Sequence, residues 1–221
     1  AGCCAAPSSS RFVGLANFGA VFTDRLLATA LRNNLLWVFF GTILCVSLGL
    51  LIAILADRSS FERLAKTIIF MPMAISFVAA GVIWKFIYYY TPEEQQIGLL
   101  NAIVKAFGGE PQAWLTMVQP WNNLFLIVIL VWMQTGFAMV IFSAAIKSVP
   151  DDILEAARVD GAGEIRIFFQ IMIPYISGTL LSVTTTIIVF TLKIFDVVMV
   201  MTGGQYGTEV VATQFYRQLL M

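Results

Sequence analysis

Charged positions divide the chain into four long apolar runs. Leu35 to Ala56, Leu124 to Ile146 and Ile167 to Leu192 carry no charge, and Thr67 to Tyr90 carries none before Lys85. A spanning helix needs about 20 mostly apolar residues, because each adds about 1.5 Å toward a hydrocarbon core of about 30 Å. All four runs qualify. The pattern predicts an all-α, polytopic membrane protein with at least four transmembrane helices. Pro72 and Pro174 lie near the starts of their runs. In a first turn a missing N–H costs little, whereas deeper placement kinks the helix, and the pattern leaves both open.

The connecting loops set an orientation. Asp57–Lys66 holds Arg58, Arg63 and Lys66, and Lys147–Arg166 holds Lys147, Arg158 and Arg166, while Thr91–Pro120 holds only Lys105. The excess of cations places the first two loops in the cytoplasm and the third outside. Trp37, Trp84, Trp121 and the Tyr88-Tyr89-Tyr90 run then fall at the outer interface, which amphipathic rings favour. Residues 1–34 read as an external N-terminal segment and residues 35–221 as the membrane core. The chain starts at Ala1 rather than Met and ends at Met221 after an amphipathic stretch, so a fragment lacking helices at both ends is expected.

Composition narrows the chemistry. Hydrophobic residues make up 59% and charged residues 12% of 221, which leaves too little polar surface to solvate a soluble fold. The absence of histidine excludes a Ser-His-Asp triad and a His-ligated zinc. Cys3, Cys4 and Cys45 form no spaced framework. Thirteen basic and thirteen acidic residues give zero net charge, against a nucleic-acid partner. No cofactor is called for.

The loop from Ser148 to Arg166 is the most patterned polar segment. Ser148 and Asp151 have capping-box spacing, Pro150 suits a first turn, and Asp151 and Asp152 complement the positive end of a helix dipole. Ile153, Leu154 and Ala157 share one face, and Gly161 is placed to end the helix in a left-handed cap. A short amphipathic helix is expected on the cytoplasmic side.

Glu155-Ala156-Ala157, three residues, Gly161, nine residues, then Ile171-Met172-Ile173-Pro174 resembles the EAA loop of binding-protein-dependent ABC importers, with Ile173 where the family has Leu. Phe12-Val13-Gly14-Leu15-Ala16-Asn17-Phe18, Met71-Pro72, Phe195-Asp196 and Thr202-Gly203-Gly204 resemble the sugar-permease branch, close to the maltose and glycerol-phosphate permeases. The stretches Gln96–Asn101, Gly108–Pro111 and Gly204–Thr208 look most like the α-glucoside branch.

The resemblance implies a type I ABC importer permease core, with its coupling loop at 148–174, in the bacterial cytoplasmic membrane. The implied partners are a second permease subunit, two ATPase subunits, an extracytoplasmic sugar-binding protein and membrane lipid. Ile153, Leu154, Glu155, Ala156, Ala157, Asp160 and Gly161 are the expected ATPase-docking residues. The chain has no Gly-x-x-x-x-Gly-Lys-Ser/Thr loop, so ATP hydrolysis is expected in a separate subunit.

Polar groups at membrane depth are costly unless they face a partner or a wet cavity. Gln134, Phe137, Thr184 and Thr191 are candidates to line the solute pathway, the last two on a stripe with Ile188 and Phe195. Back-bonding of the threonine hydroxyls to their own helix is the alternative. Lys193 and Asp196, three apart near the outer end of the fourth run, can pair as a clasp or serve a solute. Three rivals stand beside the sugar importer. One is an ion-coupled transporter using Lys193 and Asp196; another is a permease for an amino acid or phosphate. The third, an intramembrane enzyme, lacks any converging catalytic set.

Overall fold

The computed structural model describes residues 24–92 and 98–220. The Phe12–Phe18 motif, Cys3, Cys4 and the start of the Gln96–Asn101 stretch lie outside the described residues. No strand occurs among those described.

Helix α1, Arg25–Asp57, is continuous over 33 residues. Asp24 caps it by accepting from the Leu26 N–H at 2.8 Å, and a π turn interrupts it at Trp37–Gly41. Helix α2, Glu62–Ala74, ends in a 3₁₀ turn, Met71–Ala74, that contains Pro72. Ile75 is extended, the Ser76 hydroxyl caps α3 (Phe77–Ile87) through the Ala79 N–H at 3.2 Å, and the two helices meet at 104°. Helix α4, Leu99–Ala106, lies in the outer loop. Helix α5, Trp121–Ile146, is the hub: it packs on α1 and α2 and buries both faces. Helix α6 (Asp151–Val159) precedes α7 (Glu164–Tyr175), which joins α8 (Ser177–Leu192) at a 71° bend. Short α9, Asp196–Met201, packs on α3, and α10, Val211–Leu220, packs on α1.

End-to-end contacts turn the two bent pairs into crossings. The N-terminal half of α1 meets the first turn of α5 where the Trp37 indole donates to Asn123 Oδ1 at 3.2 Å. Their last turns meet where Ser143 donates to Asp57 Oδ1 at 2.7 Å. The two helices therefore run in the same sense, which requires one crossing between them. The α2–α3 pair supplies it, because Lys66 at its start donates to Ser143 and Tyr88 at its end donates to the Phe125 carbonyl at 2.9 Å. The α7–α8 pair likewise ends beside α1, where Asn34 donates to the Leu192 carbonyl at 3.4 Å. Among the described residues two helices are long and apolar enough to span, and counting each bent pair as one span gives four.

Several expectations change. The second and fourth runs are broken spans, and the prolines explain where. Pro72 sits within the 3₁₀ turn at the first break. Before Pro174 the helix widens to a π turn at Phe168–Met172, because the proline ring cannot accommodate a carbonyl four residues back. Residues 25–34 are helical and run without a break into the first apolar run. Trp37 and Tyr88 are buried, not belt residues, because each spends its polar atom on α5, whereas Trp121, Tyr89 and Tyr90 are exposed as a belt requires. The outer loop is held by one buried amide. Asn101 donates to the Tyr89 and Gln112 carbonyls, both at 3.1 Å, and accepts from Gln112 N at 3.0 Å and Trp114 Nε1 at 2.9 Å.

Candidate functional site: the coupling loop and the membrane pathway

Helix α6 forms as expected, with one correction at its start. Ser148 does not cap it; its hydroxyl donates to the Ala145 carbonyl at 2.7 Å, Pro150 takes the cap position, and Asp151 and Asp152 fill the first turn. At the other end Gly161 has φ +79°. The Gly161 N–H reaches the Arg158 carbonyl and the Ala162 N–H reaches the Ala157 carbonyl, both at 3.0 Å. That pair of bonds is a Schellman ending and requires the left-handed glycine.

Most of α6 faces outward. Ala157 is its one buried residue and seats the helix on its own chain, while Leu154 is half-buried. Ile153, Glu155, Ala156, Asp160 and Gly161 are exposed. Val159, 87% exposed, and Ile165, 77% exposed, extend this apolar surface. The sequence reading missed both, although their signal is readable: apolar residues off the inward stripe. Arg158 donates to Glu164 Oε1 at 2.9 Å and Arg58 reaches Glu164 Oε2 at 3.3 Å, which ties α6 to the end of α1. The Glu164 carboxylate raises the Arg158 guanidinium further above its ordinary value, by hydrogen bond first and charge second.

Within the membrane, α8 has two unlike faces. Val183, Ile187 and Thr191 are buried against the bundle. Leu181, Ser182, Thr185, Thr186, Val189 and Phe190 line an open groove of about 450 Å³. Thr184 and Thr191 bond back to the Leu180 and Ile187 carbonyls, both at 2.7 Å. Thr191 is fully buried, and a Cβ built on Gly41 would sit 3.8 Å from its Cγ2. The structure therefore does not bring Thr184 and Thr191 to one open face; the hydroxyls on the open face are Ser182, Thr185 and Thr186, which a one-residue shift of the stripe would have found.

Gln134 is 5% exposed and its Oε1 has no partner. It borders a cavity of about 110 Å³ with Met73, Ile75, Phe77, Met133 and Phe190, at the break between α2 and α3. Phe137 is half-buried one turn further along α5. Lys193 and Asp196 are both exposed, and no ion pair joins them among the described residues. The reason is backbone direction: α8 ends at Leu192 and α9 restarts at Asp196, so helical spacing does not hold across the gap.

A second polar cluster lies at the opposite end from α6. The loop 202–210 turns on Gly203, Gly204 and Gly207 and on Tyr206, all with positive φ. Buried amides hold it: Asn33 donates to the Gly207 and Glu209 carbonyls at 2.7 Å each, and Asn122 donates to the Tyr206 carbonyl at 2.7 Å. Buried Glu209 accepts from Arg217 and Gln214. The loop leaves the Tyr206 ring exposed.

Residues 45–221 match the binding-protein-dependent transport system inner membrane component family. The chain belongs to this family. It is 53% identical over 212 residues to the osmoprotective compounds uptake permease GgtC of Synechocystis, covering 96% of this chain and 76% of the relative. It is also 53% identical over 206 residues to the alpha-glucoside transport system permease AglF of Rhizobium meliloti, covering 93% of this chain and 61% of the relative. Among solved structures, a bacterial ABC transporter for the acidic polysaccharide alginate matches with TM-score 0.74 at 21% identity, over 96% of this chain and 74% of that one. The same kind of transporter with its alginate pentasaccharide-bound periplasmic protein gives 0.81 at 22%, over 94% and 72%. The bent spans and the outward α6 thus belong to the fold of an inner-membrane permease component.

Proposed function

We propose that this permease component carries a neutral, hydroxyl-rich glucoside inward through the face bordered by α5 and α8, driven by ATP hydrolysed in separate subunits that seat on α6. The carrying observation is the buried, unpartnered Gln134 Oε1 in a cavity walled by Phe77 and Phe190. An amide oxygen at membrane depth is costly without a donor, and sugar hydroxyls are donors, while aromatic rings stack on sugar faces. The kinship with an α-glucoside permease supports the same chemistry. In this reading Gln134, Phe137, Thr184, Ser182 and Thr185 border the route, while Lys193 and Asp196 stand near its outer end. Thr191 supports it from inside the bundle.

On the other side of the membrane, Ile153, Leu154, Glu155, Ala156, Asp160 and Gly161 form the docking knob, and Ala157 roots it. An extracytoplasmic binding protein delivers the solute, and a second permease covers the open α8 groove. The equal kinship with an osmoprotectant permease favours a second reading, in which the cargo is a compatible solute.

The test uses the full-length protein with its partner subunits in lipid discs, measuring ATP hydrolysis with and without binding protein. The panel is maltose, trehalose, sucrose, glycine betaine and amino acids. Stimulation by a disaccharide supports the proposal. Stimulation by betaine alone selects the second reading, and stimulation by an amino acid alone overturns both.

A further inference from the structure

The ends of α1, α2 and α5 that the loop charges assign to the cytoplasm meet in a cluster of five side chains. Lys66 Nζ lies 2.5 Å from Asp57 Oδ1 and 2.5 Å from Glu62 Oε1. It also donates to Ser143 Oγ at 2.5 Å, and that hydroxyl donates in turn to Asp57 Oδ1 at 2.7 Å. Lys147 completes the ring, pairing with Glu62 and standing 3.8 Å from Asp57. Two cations balance two carboxylates. The centre is sheltered, with the Asp57 side chain 11% exposed and that of Lys66 19%.

Surface ion pairs contribute little, and the exposed Arg58–Glu164–Arg158 contacts are of that kind. The Lys66 cluster differs in two ways. Its shared atoms leave the water, so losing one partner strands a charge. It also joins three separate elements at the root of the coupling loop. Lys147 is three residues before Pro150, where α6 begins. Glu62 and Lys66 open α2, whose 13 residues reach roughly 20 Å. The far end of α2 is the Pro72 break, where Met73 and Ile75 wall the Gln134 cavity.

We propose that Asp57, Glu62, Lys66, Ser143 and Lys147 form a clamp that transmits displacement of α6 along α2 to the α2–α3 break, making Lys66 and Ser143 positioning residues for coupling. This inference rests on the reading of α6 as the ATPase-docking helix. A lever needs a rigid pivot, and the clamp fixes α2 to α5 at the point where α5 leads into α6. Without it, α6 is free to move while α2 stays behind.

The experiment uses the complete importer in lipid discs, with Lys66→Met, Lys66→Arg and Ser143→Ala, recording ATP hydrolysed per solute transported and the ATPase content of the complex. Lys66→Met is expected to raise that ratio about fivefold or more, the low end of coupling between sites. Ser143→Ala, which changes no charge and threatens folding least, moves it in the same direction, and Lys66→Arg restores coupling. A wild-type ratio in Lys66→Met, or in Ser143→Ala should Lys66→Met not assemble, overturns the clamp. So does a Lys66→Arg protein as uncoupled as Lys66→Met. Glu155→Lys separates the two ideas: full ATPase retention in that variant sinks the docking role of α6, while the ratios of the clamp variants still read the clamp.

Discussion

Gly136 of α5 and Ile69 of α2 meet backbone to backbone: a Cβ built on Gly136 would stand 2.5 Å from the Ile69 carbonyl oxygen and 2.8 Å from the Phe70 Cα. Such distances leave no room for a methyl group, and neither neighbour is a flexible side-chain end. Small residues allow this approach, which membrane helices use because apolar burial alone does not drive them together. Gly136→Ala should therefore push α2 away just before its break and cost about 1–3 kcal/mol, the usual range for overpacking. Thermal unfolding of the purified protein in detergent checks this; an unchanged midpoint would mean that α2 is free to retreat.

Gly161 makes the opposite case, because a Cβ there meets nothing within 4 Å. The only obstacle is its φ of +79°, where a β-branched residue is strained by about 1–2 kcal/mol and Asn by less. Gly161→Val is expected to insert normally yet lose the Schellman ending, tilting α6 and uncoupling ATP hydrolysis from uptake. Gly161→Asn should keep most transport. Comparing ATPase rate with solute uptake in the two variants decides it, and normal coupling in Gly161→Val removes the turn from the docking geometry.

Asn33 of α1 anchors the 202–210 loop through the Gly207 and Glu209 carbonyls. Asn33→Leu keeps the size and strands the Glu209 carbonyl, at about 1–3 kcal/mol for an acceptor left buried without a donor, while the Gly207 carbonyl keeps its bond from Gln119. Tyr206 holds its positive φ only while the loop is fixed around it, so the variant should melt earlier and expose the loop to protease. Limited proteolysis from the extracytoplasmic side reads this directly; a wild-type digestion pattern would show that Asn122 and Glu209 suffice.

Much of this is legible in the sequence. The apolar run Leu124–Ile146 locates α5 to within three residues, and the Glu155 to Gly161 spacing places α6 and its left-handed ending. Other features are set by partners distant in the chain. Asn33 and Asn34 fall in the segment that reads as external, yet Asn33 is paired with a loop more than 170 residues away. The amphipathic ring of Trp37 suits an interface equally well as a buried bond to Asn123, and only the packing of α5 decides between them. The breaks at Pro72 and Pro174 were visible as prolines but not as bends, since whether a proline opens a turn or breaks a span depends on where the neighbouring helix begins. On α8, Thr184, Thr185 and Thr186 are adjacent, so a step of one residue changes which hydroxyl borders the open groove, and the sequence pattern alone does not choose between them.

That last ambiguity yields a paired experiment. Thr191 spends its hydroxyl on the Ile187 carbonyl inside the bundle, and Thr185 spends its own on the Leu181 carbonyl at 2.9 Å while lining the open groove. Thr191→Val removes one satisfied hydroxyl and keeps the volume, so uptake should stay near wild type. Thr191→Leu enlarges a buried site facing Gly41 and should lower stability before it alters transport. Thr185→Leu adds bulk where the route and the second permease are proposed to meet; uptake is expected to fall roughly tenfold, the low end of what one ill-fitting group costs in a shaped site. Initial uptake rates, normalised to assembled complex, distinguish the three. If Thr191→Val abolishes uptake while Thr185→Leu leaves it intact, the open face of α8 is not the route, and the pathway must be sought on the side that packs against α1.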